Sequence, residues 1–218
     1  MSDRSVTFLK DRRTGELVEA ALIDGVSRQE VENTESAWRP FLMNSLEERR
    51  RAGNSELSPP EHSHWDWRRK HEAVRGLIAY RMFGVECDGA MQGLMLVSTA
   101  GHPCRVEDQK GKEQVYVDFV ATAPWNSPSL VEIPRFSLVG RVLIATAAQL
   151  SMEEGFRGRI GLHALPQAET FYARNCGMTD LGNDKRKEGL RYFEMTPEQA
   201  AAFLRSGANE IQFRQGVA

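Results

Sequence analysis

Cysteine is scarce in this 218-residue chain: Cys87, Cys104 and Cys176 are the whole complement. An odd number without CxxC spacing argues against a disulfide framework and a four-cysteine zinc site, and it fits a reducing cytoplasm. Also lacking is any apolar run near the roughly 20 residues that span a bilayer. The start, MSDRSVTFLKDRR, sets charges on both sides of a very short apolar stretch, unlike a signal peptide. Neither sign of charge prevails: 28 Lys and Arg face 30 Asp and Glu, so nothing electrostatic calls for nucleic acid or an acidic membrane as partner. Internal repeats and low-complexity tracts are absent too. The expectation is a soluble cytoplasmic chain that acts on small molecules or proteins, with one sizeable core and an elaborated end.

What is present alternates between strand and helix patterns. Val6 to Leu9 and Leu17 to Ile23 are apolar-rich runs flanking a polar stretch with Gly15, which predicts a β-hairpin. Ser27 stands three residues before Glu30, the capping-box spacing in which each side chain satisfies an orphan backbone N–H. Val31, Trp38, Phe41, Leu42 and Leu46 carry the apolar stripe of the helix it opens. Pro40 lacks a donor and clashes with the preceding turn, so it is expected to kink or split that helix. Arg51 to Pro60 reads as a polar surface loop. Ala79 to Cys87 and Met91 to Thr99 read as strands joined at Asp88-Gly89-Ala90, and Val115 to Thr122 as a strand ending before Pro124. Val139 to Leu150 has helical spacing and Ile160 to Leu165 strand character. Ala168 to Asn175 is a helix that Gly177 ends. Leu190 to Met195 is a strand before Thr196-Pro197-Glu198-Gln199, a capping box whose helix is expected to reach about Arg205. The order predicts an α/β or α+β sandwich.

A strand that feeds a helix start presents unpaired N–H groups and a positive dipole end, a ready site for phosphate. Arg135-Phe136-Ser137-Leu138-Val139-Gly140-Arg141 is such an entry: Gly140 permits close backbone approach, and Arg135 and Arg141 bring charge. The bland alternative is a packing glycine with solvated arginines. Further on, Ala168-Glu169-Thr170-Phe171-Tyr172-Ala173-Arg174-Asn175-Cys176-Gly177-Met178 resembles the A-x-x-F-Y-x-x-x-G-F signature of the GNAT superfamily of N-acyltransferases, with Met178 for the last aromatic. Residues 155–163 are similar to that family's helix-to-strand passage, and Arg135-x-x-Leu138-x-Gly140 to its R-x-x-G-x-G/A pyrophosphate loop. Leu138 stands where the family usually has glycine, Leu165 where it often has asparagine, and Trp125 to Pro134 is an insertion.

The resemblance implies an α+β fold, an α/β sandwich with a splayed mixed sheet. One domain would span residues 1–218, with 1–75 a hairpin and helical elaboration and 76–195 the cofactor-binding core. Acetyl-CoA, or another short acyl-CoA, would lie between Val115–Thr122 and Ile160–Leu165. The backbone of Val120, Ala121 and Thr122 would bond its pantetheine arm, with an amide near Thr122 polarising the thioester carbonyl. Arg135 and the amides from Ser137 through Val139 and Gly140 to Arg141 would receive its pyrophosphate. Tyr172 matches the position of the acid that protonates the departing thiolate.

For the base the residues leave two candidates. Asp118 is an acid in an otherwise apolar strand, and His163 on the neighbouring strand has a reference pKa near 6.5. Trp125 and Asn126, just past the cofactor strand, are the expected acceptor contacts. Cys176 as an acylated nucleophile and His62, His64 and Asp66 as metal ligands are the weaker readings, so no metal is expected. Trp65 and Trp67 read as packing. The expected activity is direct transfer of the acyl group to a small-molecule or peptide amine. A non-catalytic acyl-CoA sensor of the same fold is the alternative, and a cofactor-free interaction domain a third. A homodimer is left open.

Overall fold

The computed structural model describes residues 2–51, 53 and 59–215, with side chains as far as Gly207; of the polar loop expected between Arg51 and Pro60, residues 52 and 54–58 lie outside the described residues. The chain divides into two units, Met1–Met95 with Val120–Gly140, and Leu96–Phe119 with Arg141–Ala218.

In the first unit, β1 (Asp3–Asp11) and β2 (Leu17–Asp24) form the antiparallel hairpin, and β2 pairs antiparallel with β3 (Tyr80–Cys87). Asp88 and Gly89 both take positive φ, 51° and 69°, the left-handed pair that a two-residue hairpin turn needs, and lead directly into β4 (Ala90–Ser98). With β5 (Val115–Thr122) and β6 (Phe136–Ser137), the strand order here is β6-β1-β2-β3-β4-β5. The capping box forms as expected: the Ser27 amide donates to the Glu30 carboxylate at 2.7 Å and the Glu30 amide to the Ser27 hydroxyl at 3.3 Å, opening α1 (Arg28–Arg51).

Pro40 does not split α1, which stays helical through it. Anchors lie on both sides of the proline: Trp38 Nε1 donates to the Met91 carbonyl at 3.0 Å, and Arg49 donates to the Ser129 carbonyl. These tertiary bonds outweigh the single helical bond that proline forfeits. A second helix, α2 (Trp67–Val74), starts at Asp66, whose side chain accepts from the amides of Arg68 and Arg69.

In the second unit, β7 (Ile160–Ala164), β8 (Thr179–Asn183) and β9 (Arg191–Met195) take the order β7-β9-β8, with β7 parallel to the start of β5. Alternation gives this sheet two unlike faces. Ile160, Leu162, Phe193 and Met195 are almost fully buried, as are Leu143, Ile144, Ala147 and Leu150 of α3 (Val139–Glu153). The other face carries Tyr116, His163, Tyr192 and Glu194. Gly161 is required there: a Cβ on it would stand 2.6 Å from both the Gln114 side-chain oxygen and the Tyr192 hydroxyl. The closing helix α4 (Pro197–Gln215) begins with the expected box, the Thr196 amide donating to Gln199 at 2.8 Å, and runs past Arg205. Among the described residues, no helix is long and apolar enough to cross a membrane.

Candidate functional site

Strands β5 and β7 run parallel, with the rungs Val115↔Ile160, Tyr116↔Gly161 and Val117↔Leu162 among the described residues. Pairing then stops while β5 continues through Thr122 and β7 through Ala164. The register between the two strands thus ends before Val120, Ala121 and Thr122.

After β5 the first unit braces its own connection. Asn126 is buried; its amide nitrogen donates to Gln92 Oε1 at 3.0 Å and its oxygen accepts from the Phe136 amide at 2.9 Å. Trp125 Nε1 donates to the same Gln92 oxygen at 2.8 Å, and its ring meets Phe41 edge-on. The polar atoms of both expected acceptor contacts thus tie the Trp125 to Pro134 insertion to Gln92 of β4. Arg135 pairs with Asp88 and lies over the Phe136 ring, while Ser137 sits in β6 opposite Lys10. Leu138 takes φ +77°, a left-handed conformation that costs a side chain of this kind about 1–2 kcal/mol. It performs the turn into Val139 and Gly140 at the start of α3 that glycine makes without strain. In the second unit, the Arg141 guanidinium binds the Phe203 carbonyl at 3.1 Å and the Ser206 hydroxyl at 2.5 Å. These bonds direct the side chain toward α4 without cancelling its charge.

The polar face of the second unit is one connected network. Arg105, the Arg186 amide and His163 hold the Asp184 carboxyl well below the usual carboxylate range, so His163 Nε2 at 3.1 Å is the donor of that pair. His163 Nδ1 is then the acceptor from the Tyr116 hydroxyl at 2.6 Å. His102 stacks on Tyr116 at 4.0 Å. Burial, with the charge of Asp118 beside it, pushes the Tyr116 phenol up. Both nitrogens of His163 are therefore engaged, and Asp118 adjoins Tyr116 on the same strand face.

Burial holds His163 below its ordinary pKa against the upward pull of Asp184, and it lowers His62 and His102 as well. The unfolded chain takes up protons near pH 6.5 that these folded imidazoles refuse. Stability is thus complete above that value and declines as pH falls through it toward the folded pKa values. The melting temperature is expected to drop between pH 7 and 5, by roughly 2–4 °C for each kcal/mol lost in a chain of this size. His163→Gln should remove its share of that slope, leaving those of His62 and His102, and a flat wild-type curve over this range would contradict the reading.

Tyr172 is buried, 5% exposed, and burial pushes its phenol up, keeping it protonated. It lies in a π-helical turn, Phe171–Asn175, rather than the α-helix expected from Ala168 to Asn175. The reason is a count: four residues separate Tyr172 from Gly177 where the A-x-x-F-Y-x-x-x-G-F signature has three, and the wider turn absorbs the extra one. The Cys176 thiol is buried and pushed up to about 12, so it carries negligible thiolate at neutral pH.

No protein-family model matches the sequence, and no curated protein matches it significantly. Solved structures do. The GNAT domain of S. lividans PAT is 12% identical, with 88% of this chain and 96% of that one covered at a TM-score of 0.53. A GNAT-family protein of Desulfovibrio desulfuricans is 15% identical, with 82% and 99% covered at 0.50. The chain has the GNAT fold. At these identities the likeness is one of fold, and in the GNAT fold the parting of β5 from β7 is the splay that the resemblance implies.

One feature near the end of β5 is not legible in the GNAT signatures. Thr122 and Pro124 line a recess of about 40 Å³ together with Trp38, Trp65, Trp67 and His62. Trp67 is 3% exposed and meets Trp65 edge-on at 6.2 Å, which fits the packing role read from the sequence. His62 and His64 rest against Trp65. Among the described residues, no group of three or more His, Cys, Asp or Glu is arranged to hold a metal ion.

Proposed function

We propose that the chain is an acyl-CoA-dependent N-acyltransferase that moves an acetyl or other short acyl group directly to an amine. The observation that carries this reading is the end of β5–β7 pairing after Val117↔Leu162 while both strands run on. A strand edge released in this way offers hydrogen-bonding groups to an extended arm such as pantetheine. Val120, Ala121 and Thr122 supply that edge, and an N–H near Thr122 polarises the thioester carbonyl as charge develops on it. The amides from Ser137 to Arg141 take the diphosphate at the start of α3. Residue type supports the role: the Leu138 side chain has no oxygen with which to bond the first N–H groups of α3. Tyr172, kept neutral by burial, donates its proton to the departing thiolate. When bound, acyl-CoA supplies the activated thioester carbonyl.

Titration calorimetry with acetyl-CoA, followed by turnover over a panel of amines, tests the proposal. Absence of acyl-CoA binding removes it, and binding without turnover of any amine leaves the sensing module in its place. Leu138 gives a finer test. Leu138→Gly keeps the left-handed turn and removes the Cβ beside the phosphate-binding amides. Its dissociation constant for acetyl-CoA is expected to fall about threefold to tenfold, the equivalent of roughly 1 kcal/mol. Unchanged or weaker binding would speak against placing the diphosphate there.

A further inference from the structure

The reaction needs a proton acceptor for the attacking amine, and the recess beside Thr122 contains one that the sequence offered only as a metal ligand. Its polar lining is Glu35, Arg39, His62, Ser63 and Thr122. Glu35 and Arg39 are occupied with each other and with the chain: Glu35 accepts from the Trp67 amide at 2.6 Å, and Arg39 reaches Glu35 at 3.4 Å and the Trp65 carbonyl at 2.9 Å. Their charges cancel. His62 differs from the two imidazole and carboxylate candidates on the polar sheet face. Its ring tilts against Trp65 at 5.6 Å, and among the described residues neither of its nitrogens has a hydrogen-bond partner. Burial and the neighbouring His64 hold it below its ordinary value, so it is neutral with a lone pair available at pH 7. Lys70 Nζ stands 4.6 Å from the Trp65 ring centroid, and Asp66, between the two tryptophans, pairs with Arg68 and Arg69.

We infer that His62 is the catalytic base, and that the recess it lines receives the amine head of an unbranched primary amine. This rests on the acyl-CoA reading of Thr122. The amine nitrogen attacks the thioester carbon, its N–H proton passes to a free His62 nitrogen to give imidazolium, and the C–S bond breaks. The thiolate takes the Tyr172 proton, and exchange with solvent returns both side chains to their starting states. The amine class follows from the room and the charge. About 40 Å³ suits a terminal –CH2–NH2 better than a branch or a ring at the reacting carbon. Aromatic walls and a Glu35–Arg39 pair without net charge favour the neutral amine, the form that attacks, over its ammonium.

The decisive comparison is wild type against His62→Gln, with saturating acetyl-CoA and a straight-chain primary amine. The variant is expected to lose about a hundredfold in kcat, to bind acetyl-CoA unchanged by calorimetry, and to lose the acidic limb of the wild-type kcat profile. His62→Ala, which opens space, is expected to regain activity with added imidazole, whereas a merely structural role predicts no rescue. An α-branched amine should be at least about tenfold poorer in kcat/KM than its straight-chain isomer. A His62→Gln variant that binds acetyl-CoA and turns over within about threefold of wild type with the same pH profile overturns the base assignment alone. Equal rates for branched and straight amines overturn the recess as the acceptor site. A wild type that binds no acetyl-CoA removes the underlying reading together with this one.

Discussion

Glu194→Ala is expected to destabilise the protein by about 3–5 kcal/mol, the range for stripping one partner from a buried charged network. Glu194 is fully buried, and four donors converge on its carboxylate: the amides of Arg105 and Val106, the Gln109 side chain and the Tyr192 hydroxyl, the last at 3.0 Å. Alanine would leave them without an acceptor beside a void, and each unsatisfied donor costs about 1–3 kcal/mol before water enters. In a chain of this size the melting temperature should fall by roughly 10–15 °C. Glu194→Gln, which keeps the shape but turns an NH2 group toward existing donors, should fall between alanine and wild type. A shift below about 3 °C for alanine would mean that Glu194 contributes no more than a surface residue does. The same network orients His163 and Tyr116, because Arg105 is bonded to Asp184 at 2.6 Å and lies 4.0 Å over the Tyr192 ring. Loss of Glu194 should therefore also flatten the pH dependence assigned to His163.

That network explains much of what the sequence conceals. Features made by neighbours along the chain are legible in it: the Ser27–Glu30 and Thr196–Gln199 caps, the Asp88-Gly89 turn, and the alternation of β5 and β7 all form where local chemistry puts them. Gln109 and Gln114 belong to no pattern along the chain, yet both are buried because their partners Glu194 and Tyr192 lie some eighty residues on. Position in sequence carries no trace of such pairings. The charged run before β3 hides α2 for a related reason. Its helix is set by Asp66 at the cap and by Trp67 against Glu35 of α1, while its composition suggests only a basic surface. β6 is two residues long and exists by pairing with β1, beyond the reach of any periodicity.

The candidate site divides along the same line. Tyr172 was named from the A-x-x-F-Y part of a family signature, and the strand of Val120 to Thr122 from what that resemblance implies. Arg135, Arg141, Trp125 and Asn126 were named for charge or place, and their side chains turn out to bond Asp88, the Phe203 carbonyl, Gln92 and the Phe136 amide. A long polar side chain has many reachable partners, and its residue type alone does not choose among them. The turn at Leu138 is the converse case, in which the backbone keeps the conformation of a glycine that the sequence has replaced.

Tyr172→Phe is expected to lower kcat by about 10²–10³, within the range for removing a positioned general acid, while acetyl-CoA affinity changes little. The change deletes one oxygen from a ring held by Phe171 at 5.2 Å and Phe193 at 6.0 Å, so packing survives it. Among the described residues that hydroxyl has no hydrogen-bond partner, and its loss should leave the melting temperature within about 2 °C of wild type. Stability and rate are thus separable at this position, which is unusual for a buried tyrosine. The rate loss should also depend on the leaving group. An acyl donor whose thiol has a lower pKa departs without help, so the penalty of Tyr172→Phe should shrink with an aryl thioester that still reaches the site. A constant penalty across donors would show that Tyr172 positions the cofactor instead of protonating it. A variant with wild-type kcat would remove the residue from the chemistry and leave its raised pKa as a consequence of burial alone.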